Sequence, residues 1–554
     1  MSRKKKNLLW ALLLPLFFMV ILWNLTPFVY GIVDDRTMME VVSGQYLGTP
    51  DPHTIFIGYW YSCLVAGCYR LAPGVDWYAL FFLGLQGGCL GLMAYRILEK
   101  KRDTKERLFF GGLVLLLAMA LGVRTAAQVT FTTTAAVLAV TVLFWYMTAE
   151  DLKGRDLILL FFLCFLTAEA RFPVYCMVLP ACGVLWLFRA REKKSLYVPL
   201  IAGGAMALHL FGMFVGYRSE GWKAYNDYND VCTVIYDYED YTFPRYEDAT
   251  ELYNQVEVYS KVRAKNLYYY NYTADDQVNP EFFAKYLELR KAMVKAARNP
   301  AARLFGSLKT YVKNVLTGEY GFGHPLALAG LGVLFLLYLR KKEWLSVLRA
   351  AGVYGAQFAL WMYLIYRGRV PLRVEICMNL MLIVSVLLLW KEQLPRMEFS
   401  ENMRKVGKGC ALIFLLAAAV WSVGAVRREN LEMQKLNEDV EELKEYCAAH
   451  PENFYFNDVV SMAMSSYNVH LWLKEPYKMN YISLGDWISF CPAWEEKLKQ
   501  RGIIDVSEAL YGRDDVYLIC SFDRGLEYLM DLYEGVTCTE VDKVGGFHIY
   551  QLYR

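Results

Sequence analysis

The chain has 554 residues, of which 56% are hydrophobic, against roughly 45 to 50% in soluble domains. Its mean hydropathy is +0.22, and 59 basic against 56 acidic residues leave a formal net charge of only +3. This balance excludes the strongly basic composition of a nucleic-acid-binding protein. The apolar content predicts an α-helical polytopic membrane protein.

The first predicted membrane span runs from about residue 8 to residue 30, directly after the basic run Arg3 to Lys6. It is longer than the apolar core of a signal peptide and lacks a small-residue cleavage site. We therefore interpret it as an uncleaved span whose N-terminus faces the cytoplasm.

An acidic pair, Asp34 and Asp35, follows the first span and precedes an amphipathic pattern that extends to about residue 46. We expect a helix lying in the membrane interface, which would place both carboxylates at the depth of lipid headgroups. The alternative is that an aspartate caps this helix, because Asp is a favoured N-cap residue and suits the positive end of the helix dipole.

The loop after the acidic pair carries the runs GQYLGTPDPH at 44–53 and IGYW at 57–60. Together with the pair, these runs resemble the GT-C superfamily of membrane glycosyltransferases, in particular the aminoarabinose transferases and the protein O-mannosyltransferases. The later parts of the chain look like a bacterial, Gram-positive type of such a protein. The resemblance implies a polyprenyl-phosphate sugar donor, a cell-envelope acceptor on the external face, and inversion at the anomeric carbon.

The same resemblance assigns roles to the acidic pair. It implies that Asp34 is the general base and that Asp35, at a position often occupied by Glu, orients Asp34 or the acceptor. Some members carry an Arg three residues after the first Asp. That position is Thr37 here, and the nearest basic residue is Arg36.

Three residues of the loop, His53, Tyr59 and Trp60, are candidates for binding the acceptor or the sugar, because aromatic faces stack on sugar rings. A structural, hydrogen-bonded role is the alternative for His53. The segment 217–324 is rich in Tyr among Asp and Glu. Its tyrosines offer further sugar-binding faces or, alternatively, pack at the membrane interface.

Further apolar runs predict the remaining spans. Those long enough to cross roughly 30 Å of hydrocarbon at about 1.5 Å per residue lie near 77–96, 129–148, 196–216, 345–366, 371–390 and 409–426. Shorter runs lie near 54–71, 108–123, 157–169, 173–190 and 325–340.

The topology follows from the basic clusters that begin at Lys100, Lys153, Arg189, Arg340 and Arg396, which we expect to face the cytoplasm. If the run at 54–71 crossed the bilayer, these clusters would fall outside. An interfacial helix at 54–71 places all five clusters inside and leaves about 11 spans.

Five arginines that fall outside in this topology are candidates for binding the donor phosphate: Arg36, Arg171, Arg367, Arg369 and Arg373. A guanidinium neutralises a phosphate through charge-assisted hydrogen bonds. The last three oppose the positive-inside tendency, which indicates an anionic partner. The alternative is that they are interfacial anchors paired with carboxylates or lipid phosphates.

The topology divides the chain into four parts. They are a membrane module at 1–216 with its external loop at 32–76, an external helical segment at 217–324, C-terminal spans at 325–426, and an external α/β domain at 427–554. In the last part we predict helices near 429–448 and 494–501 and strands near 454–456, 516–520 and 547–552.

The sequence therefore predicts a multi-pass plasma-membrane glycosyltransferase with an external C-terminal domain. Its predicted partners are a polyprenyl-phosphate sugar donor, the bilayer and a glycan or glycolipid acceptor, with no nucleic acid. The cysteines show no C-x-x-C metal pattern, so no metal site or cofactor is predicted, and a divalent-metal requirement is left open. The alternatives are a flippase for a lipid-linked oligosaccharide and a non-catalytic envelope assembly protein.

Overall fold

A computed structural model of the chain describes residues 3–99, 101, 103–189, 193–297, 299–321, 323–397, 400–473, 478–521, 526 and 529–554. The protein is mostly helical, with a small sheet near its C-terminal end. The predicted fold class, a helical polytopic membrane protein with a small α/β domain, is confirmed.

The first part of the chain contains α1 (Arg3–Leu25), β1 (Val29–Tyr30), α2 (Val33–Ser43), α3 (Tyr59–Leu71), α4 (Trp77–Leu98), α5 (Thr104–Leu121), α6 (Val123–Ala127), β2 (Gln128–Val129), α7 (Phe131–Thr148), α8 (Gly154–Ala170), α9 (Phe172–Leu187) and α10 (Tyr197–Gly216). The middle part contains α11 (Glu220–Asp237), α12 (Thr250–Gln255), α13 (Lys261–Tyr268), α14 (Pro280–Ala297) and α15 (Pro300–Thr317).

The last part contains α16 (Gly323–Arg340), α17 (Trp344–Arg367), α18 (Leu372–Gln393), α19 (Glu401–Ala449), β3 (Phe454–Asn457), α20 (Val459–Ala463), β4 (Tyr481–Ser483), α21 (Pro492–Lys499), α22 (Val506–Gly512), β5 (Val516–Cys520), β6 (Thr537–Val544) and β7 (Phe547–Tyr553). The helix predicted near 429–448 is the C-terminal part of α19, which is one continuous helix of 49 residues.

Each of the predicted spans contains a helix. Among the described residues, 7 helices are long and apolar enough to cross a membrane by length and composition: Lys5–Leu25, Trp77–Leu98, Phe131–Thr148, Lys194–Gly216, Gly323–Arg340, Leu372–Gln393 and Glu401–Ala449. The count of 11 spans stays a prediction. The predicted interfacial helix is α3, whose 13 residues reach only about 20 Å, too short to cross the hydrocarbon.

The C-terminal domain is built on a five-stranded sheet in the order β4-β3-β5-β7-β6. Strand β3 is parallel to β4 and β5, whereas β7 is antiparallel to β5 and β6. The three predicted strands are present as β3, β5 and β7. Strands β4 and β6 were not predicted, because β4 has only three residues and β6 is a mostly exposed, polar edge strand.

Backbone hydrogen bonds join the C-terminal domain to the first loop. The amide of Tyr30 donates to the carbonyl of Tyr467 at 2.9 Å, and the amide of Asp76 donates to the carbonyl of Leu471 at 3.1 Å. From the domain's side, the buried ammonium of Lys497 donates to the carbonyl of Tyr46 at 2.9 Å. The domain therefore forms one wall around the loop that carries the acidic pair.

Candidate functional site

Helix α2 carries the acidic pair, but in a different setting from the predicted one. Its N-cap is Ile32, and no side chain caps the helix. Asp34 and Asp35 are the second and third residues of the helix, so neither is an N-cap. Residues 35 to 43 are all buried. The helix is therefore enclosed by protein, and the C-terminal domain covers one side of it.

Asp34 is the exposed member of the pair. Its carboxylate is 26% exposed, and Oδ2 lies 3.5 Å from Nη2 of Arg373. Arg373 belongs to the first turn of α18, so two elements far apart in sequence meet here. A partly exposed carboxylate on a buried helix is fixed in position and open to a substrate.

Asp35 is fully buried. Its Oδ1 accepts hydrogen bonds from the Tyr78 hydroxyl at 2.7 Å and the Phe131 amide at 3.1 Å. Its Oδ2 has no hydrogen-bond partner among the described residues. Burial raises the pKa of Asp35 well above its usual value, although both hydrogen bonds oppose the shift. The geometry makes Asp35 a link from α2 to α4 and α7, a position suited to orienting its neighbour.

The arginines at 369 and 171 lie near Arg373. Arg369 forms an ion pair with Asp237 at 2.5 Å. Arg171 lies beside the stacked rings of Phe56 and Phe131, 5.1 Å from each centroid. Burial lowers the pKa of Arg171 to about 10, and the charge of Arg373 adds to this effect.

Asp237 joins these groups electrostatically. Burial raises its pKa, the charges of Arg369 and Arg373 oppose the shift, and the charge of Asp34 reinforces it. We call Asp34, Asp237, Arg171, Arg369 and Arg373 the acid–arginine cluster. Its residues come from α2, the end of α11, the turn between α8 and α9, and the segment 368–373.

Two predicted arginines have other surroundings. Arg367 lies over the ring of Tyr238 at 4.5 Å, a ring that Arg369 also approaches at 5.5 Å, so it borders the cluster. Arg36 is buried, donates to the carbonyl of Ser465 at 3.5 Å and lies 5.6 Å from the ring of Tyr467. These contacts of Arg36 are with the C-terminal domain, because it projects from a different face of α2 than Asp34.

His53 is held in a structural network. Its Nδ1 lies 2.5 Å from a carboxylate oxygen of Asp51, and its Nε2 lies 3.1 Å from the carbonyl oxygen of Gly216. The ring stacks on Trp222 at 4.6 Å. Both ring nitrogens thus have partners within the protein, which agrees with the structural alternative.

Tyr59 and Trp60 pack α3 against α10. A Cβ atom placed on Gly212 would lie 2.3 Å from Trp60 Nε1, and one on Gly216 would lie 2.4 Å from Tyr59 Cδ2. The Trp60 indole also donates to the carbonyl of Leu208 at 3.2 Å. These contacts attach the short helix α3 to α10, and the structure does not bring the two rings into the acid–arginine cluster.

Asp486 is a further acidic residue near the cluster that sequence reasoning missed. It lies between β4 and α21 with φ of 116°, a backbone region that a residue with a side chain rarely adopts. Its carbonyl accepts a hydrogen bond from the Tyr272 hydroxyl at 2.6 Å. Burial and the charge of Asp34 raise the pKa of Asp486 to about 7.

A sequence signal existed for Asp486 but not for Asp237. Asp486 stands in a Gly-Asp-Trp run typical of a turn, whereas Asp237 is one of many acidic residues in the Tyr-rich segment. Among the described residues, no group of three or more His, Cys, Asp or Glu side chains is placed to hold a metal ion.

Two cavities lie elsewhere in the described structure. One of about 540 Å³ separates the first loop from the C-terminal domain and is lined by residues that include Tyr30, Lys444 and Trp472. Another of about 190 Å³ is apolar and lies among α1, α4, α5, α7 and α18. None of the described residues that line them belongs to the acid–arginine cluster.

Comparisons with known proteins give two similar solved structures. No family model matches the chain, and no curated protein matches it. The structure of ArnT from Cupriavidus metallidurans in the apo state is 10% identical, with a TM-score of 0.43, over 98% of this chain and 97% of that chain. The structure of the same protein bound to undecaprenyl phosphate is 12% identical, with a TM-score of 0.37, at the same coverage.

Proposed function

We propose that the chain is a membrane glycosyltransferase of the GT-C kind that moves a sugar from a polyprenyl-phosphate donor to a cell-envelope acceptor. The observation that carries this proposal is the contact between Asp34 and Arg373 within a group of three arginines. It supplies the two groups that the reaction needs, a carboxylate base and a cationic phosphate site. The motif at 34–60, which includes Asp34 and resembles the same superfamily, also supports it.

In the proposed reaction Asp34 removes the proton of an acceptor hydroxyl. The hydroxyl oxygen attacks the anomeric carbon from the face opposite the phosphate, and the bond from that carbon to the phosphate oxygen breaks. The lipid phosphate leaves with the bonding electrons. Because attack and departure take place on opposite faces of the anomeric carbon, its configuration inverts. Asp35 holds α2, and therefore Asp34, against α4 and α7.

The arginines stabilise the leaving group. Arg369 and Arg373 bind the phosphate oxygens through charge-assisted hydrogen bonds, and Arg171 adds a third positive charge nearby. Asp237 and Asp34 hold these arginines in position before the donor binds. We place the site on the external face of the plasma membrane, where a lipid-linked sugar is the available donor.

The test is reconstitution of the full chain with a panel of polyprenyl-phosphate sugars. We expect Asp34→Asn to lower sugar transfer by roughly 10² to 10⁴ while donor binding survives, because Asn matches Asp in size but cannot accept the proton. Asp35→Asn should retain most transfer, since the raised pKa of Asp35 makes a neutral side chain acceptable there.

Three outcomes would contradict the proposal or its details. Full transfer by Asp34→Asn would remove Asp34 as the base. Loss confined to Asp35→Asn would identify Asp35 as the base instead. Movement of lipid-linked sugar across the bilayer by the wild type, with no transfer product from any donor, would favour a flippase.

A further inference from the structure

Helix α15 has an apolar stripe that no described part of the protein covers. Phe305 is 71% exposed and Leu316 is 81% exposed. At about 100° per residue, the large exposed apolar side chains of the helix fall on one stripe roughly 120° wide. They are Leu304, Phe305, Leu308, Val312 and Leu316.

The same helix has a separate basic and hydroxyl-bearing face. Lys309, Thr310, Lys313 and Thr317 are all exposed and lie beside the apolar stripe. No residue of α15 is Asp or Glu. Its third face, with Ser307 and Tyr311, is buried against the protein. A helix with one apolar and one basic exposed face suits the boundary between lipid tails and anionic headgroups.

The contacts of α15 place it beside α17. The guanidinium of Arg303 donates to the carbonyl of Tyr366 at 2.7 Å, and the hydroxyl of Tyr311 lies 3.3 Å from that of Tyr354. Helix α15 therefore runs antiparallel to α17. It starts beside the C-terminal end of α17, which directly precedes Arg369 and Arg373 in the chain. That end is at the membrane boundary, because α18 begins at Leu372 and is itself a candidate span.

Arg303 also joins α15 to the cluster region. It forms a two-pronged ion pair with Asp240 at 2.7 Å, and Asp240 lies three residues after Asp237. Its bond to the Tyr366 carbonyl fixes the chain just before Arg367. Arg303 therefore links α15 to the segment that carries the arginines of the cluster.

We propose that α15 is a lipid-binding helix that lies in the leaflet on the side of the cluster. Its apolar stripe contacts acyl chains, and Lys309 and Lys313 contact the headgroups of anionic phospholipids. Through Arg303, the helix holds Arg369 and Arg373 at headgroup depth, where a lipid-linked phosphate lies. The lipid contact itself does not depend on the proposed transferase activity.

Site-specific photocrosslinking tests the contact. The full chain, with p-benzoylphenylalanine in place of Phe305 or, as the matched control, of Thr310, is reconstituted in vesicles of equal phosphatidylcholine and phosphatidylglycerol and irradiated. We expect phospholipid adducts by mass spectrometry at position 305 and few at position 310. No adduct at 305, equal adducts at both positions, or crosslinks from 305 to another protein chain would overturn the proposal.

The headgroup preference is tested in the same vesicles. Lys309→Gln with Lys313→Gln should lower the excess of phosphatidylglycerol over phosphatidylcholine among the adducts at 305, by up to roughly fivefold per lysine. The control is Lys543→Gln, an exposed lysine on β6, which should leave that excess unchanged. An unchanged excess in the double variant would overturn the role of the two lysines. Neither readout requires sugar transfer, so failure here and failure of the transferase proposal are distinguishable.

Discussion

Asp34 and Asp35 are neighbours in sequence but differ in environment because consecutive helix residues point about 100° apart. One carboxylate faces Arg373 and solvent, while the other faces Tyr78 and the start of α7. In the proposed reaction the exposed residue exchanges a proton with the substrate, and the buried residue positions its neighbour. The difference in exposure between the two carboxylates could not be read from the Asp-Asp motif.

At the residue scale we first predict a loss of donor binding in Arg369→Ala and Arg373→Ala. Each substitution removes charge-assisted hydrogen bonds to phosphate, worth about 1.5 to 3 kcal/mol each. Affinity for a polyprenyl phosphate, measured by lipid titration, should therefore fall about tenfold or more.

A matched control for these variants is Arg513→Ala, whose guanidinium pairs with Asp515 at 2.7 Å in the C-terminal domain. It should bind the lipid normally. If Arg369→Ala and Arg373→Ala also keep wild-type affinity, these arginines are membrane anchors and not the phosphate site.

The second residue-scale prediction concerns Asp486, whose pKa of about 7 lies above the ordinary value of 3.8. Between these values the folded protein holds a proton that the unfolded chain has lost, so the free energy of unfolding falls as pH rises toward 7. In Asp486→Asn this fall in the free energy of unfolding, on the order of 1 to 3 kcal/mol, should be absent. Asn tolerates the positive φ at this position.

Thermal unfolding in detergent from about pH 5 to about pH 8 measures this dependence. The wild type should lose more stability across the range than Asp486→Asn. Asp34→Asn should shift the dependence to lower pH, since the charge of Asp34 raises the pKa of Asp486. Parallel curves for wild type and Asp486→Asn would show that Asp486 does not titrate in this range.

At the element scale, α3 is held by a side chain from another helix. The carboxylate of Glu169, at the end of α8, accepts a hydrogen bond from the Tyr61 amide at 2.8 Å and so satisfies a donor in the first turn of α3. The other oxygen of Glu169 lies 2.9 Å from His209 of α10. Three helices therefore meet at one buried carboxylate, which explains how a helix too short to span is fixed.

Gly58→Ala should break this arrangement. A Cβ atom on Gly58 would lie 2.3 Å from the carboxyl carbon of Glu169, so the carboxylate must move, at a cost of about 1 to 3 kcal/mol. The matched control is Gly67→Ala within α3, the helix that Gly58 precedes, where nothing lies within 4 Å of the added atom. Thermal unfolding should show lower stability for Gly58→Ala. Gly67→Ala should be as stable as the wild type or more stable, since Ala favours helix by about 1 kcal/mol over Gly. Equal stability of the two would contradict the proposed packing.

At the scale of the whole molecule, three regions far apart in sequence lie on the same side of the membrane helices. The first loop is bonded to the C-terminal domain through Tyr30 and Tyr467. The middle segment joins the same domain through the Thr273 amide, which donates to the carbonyl of Leu484 at 2.9 Å. The topology deduced from basic clusters requires this shared side.

Cysteine labelling in intact cells tests whether these three regions face the outside of the cell or the cytoplasm. With an impermeant thiol reagent, Asp51→Cys in the first loop and Ile504→Cys, a fully exposed position of the C-terminal domain, should react above the background of the unmodified chain. Thr104→Cys, at the start of α5, should not react. Labelling at position 104 with protection at 51 and 504 would invert the topology and place the site in the cytoplasm.

The sequence by itself determined the helices, the bilayer as their solvent and the acidic pair as a candidate site. Hydropathy and basic clusters are local properties, so they can be read without the fold. The tertiary structure decided which aspartate is exposed. It places Arg36, Tyr59 and Trp60 outside the acid–arginine cluster, Asp237 within it and Asp486 near it. These outcomes depend on contacts between residues that are far apart in sequence, and no local pattern encodes such a contact, because it is formed only when whole helices pack.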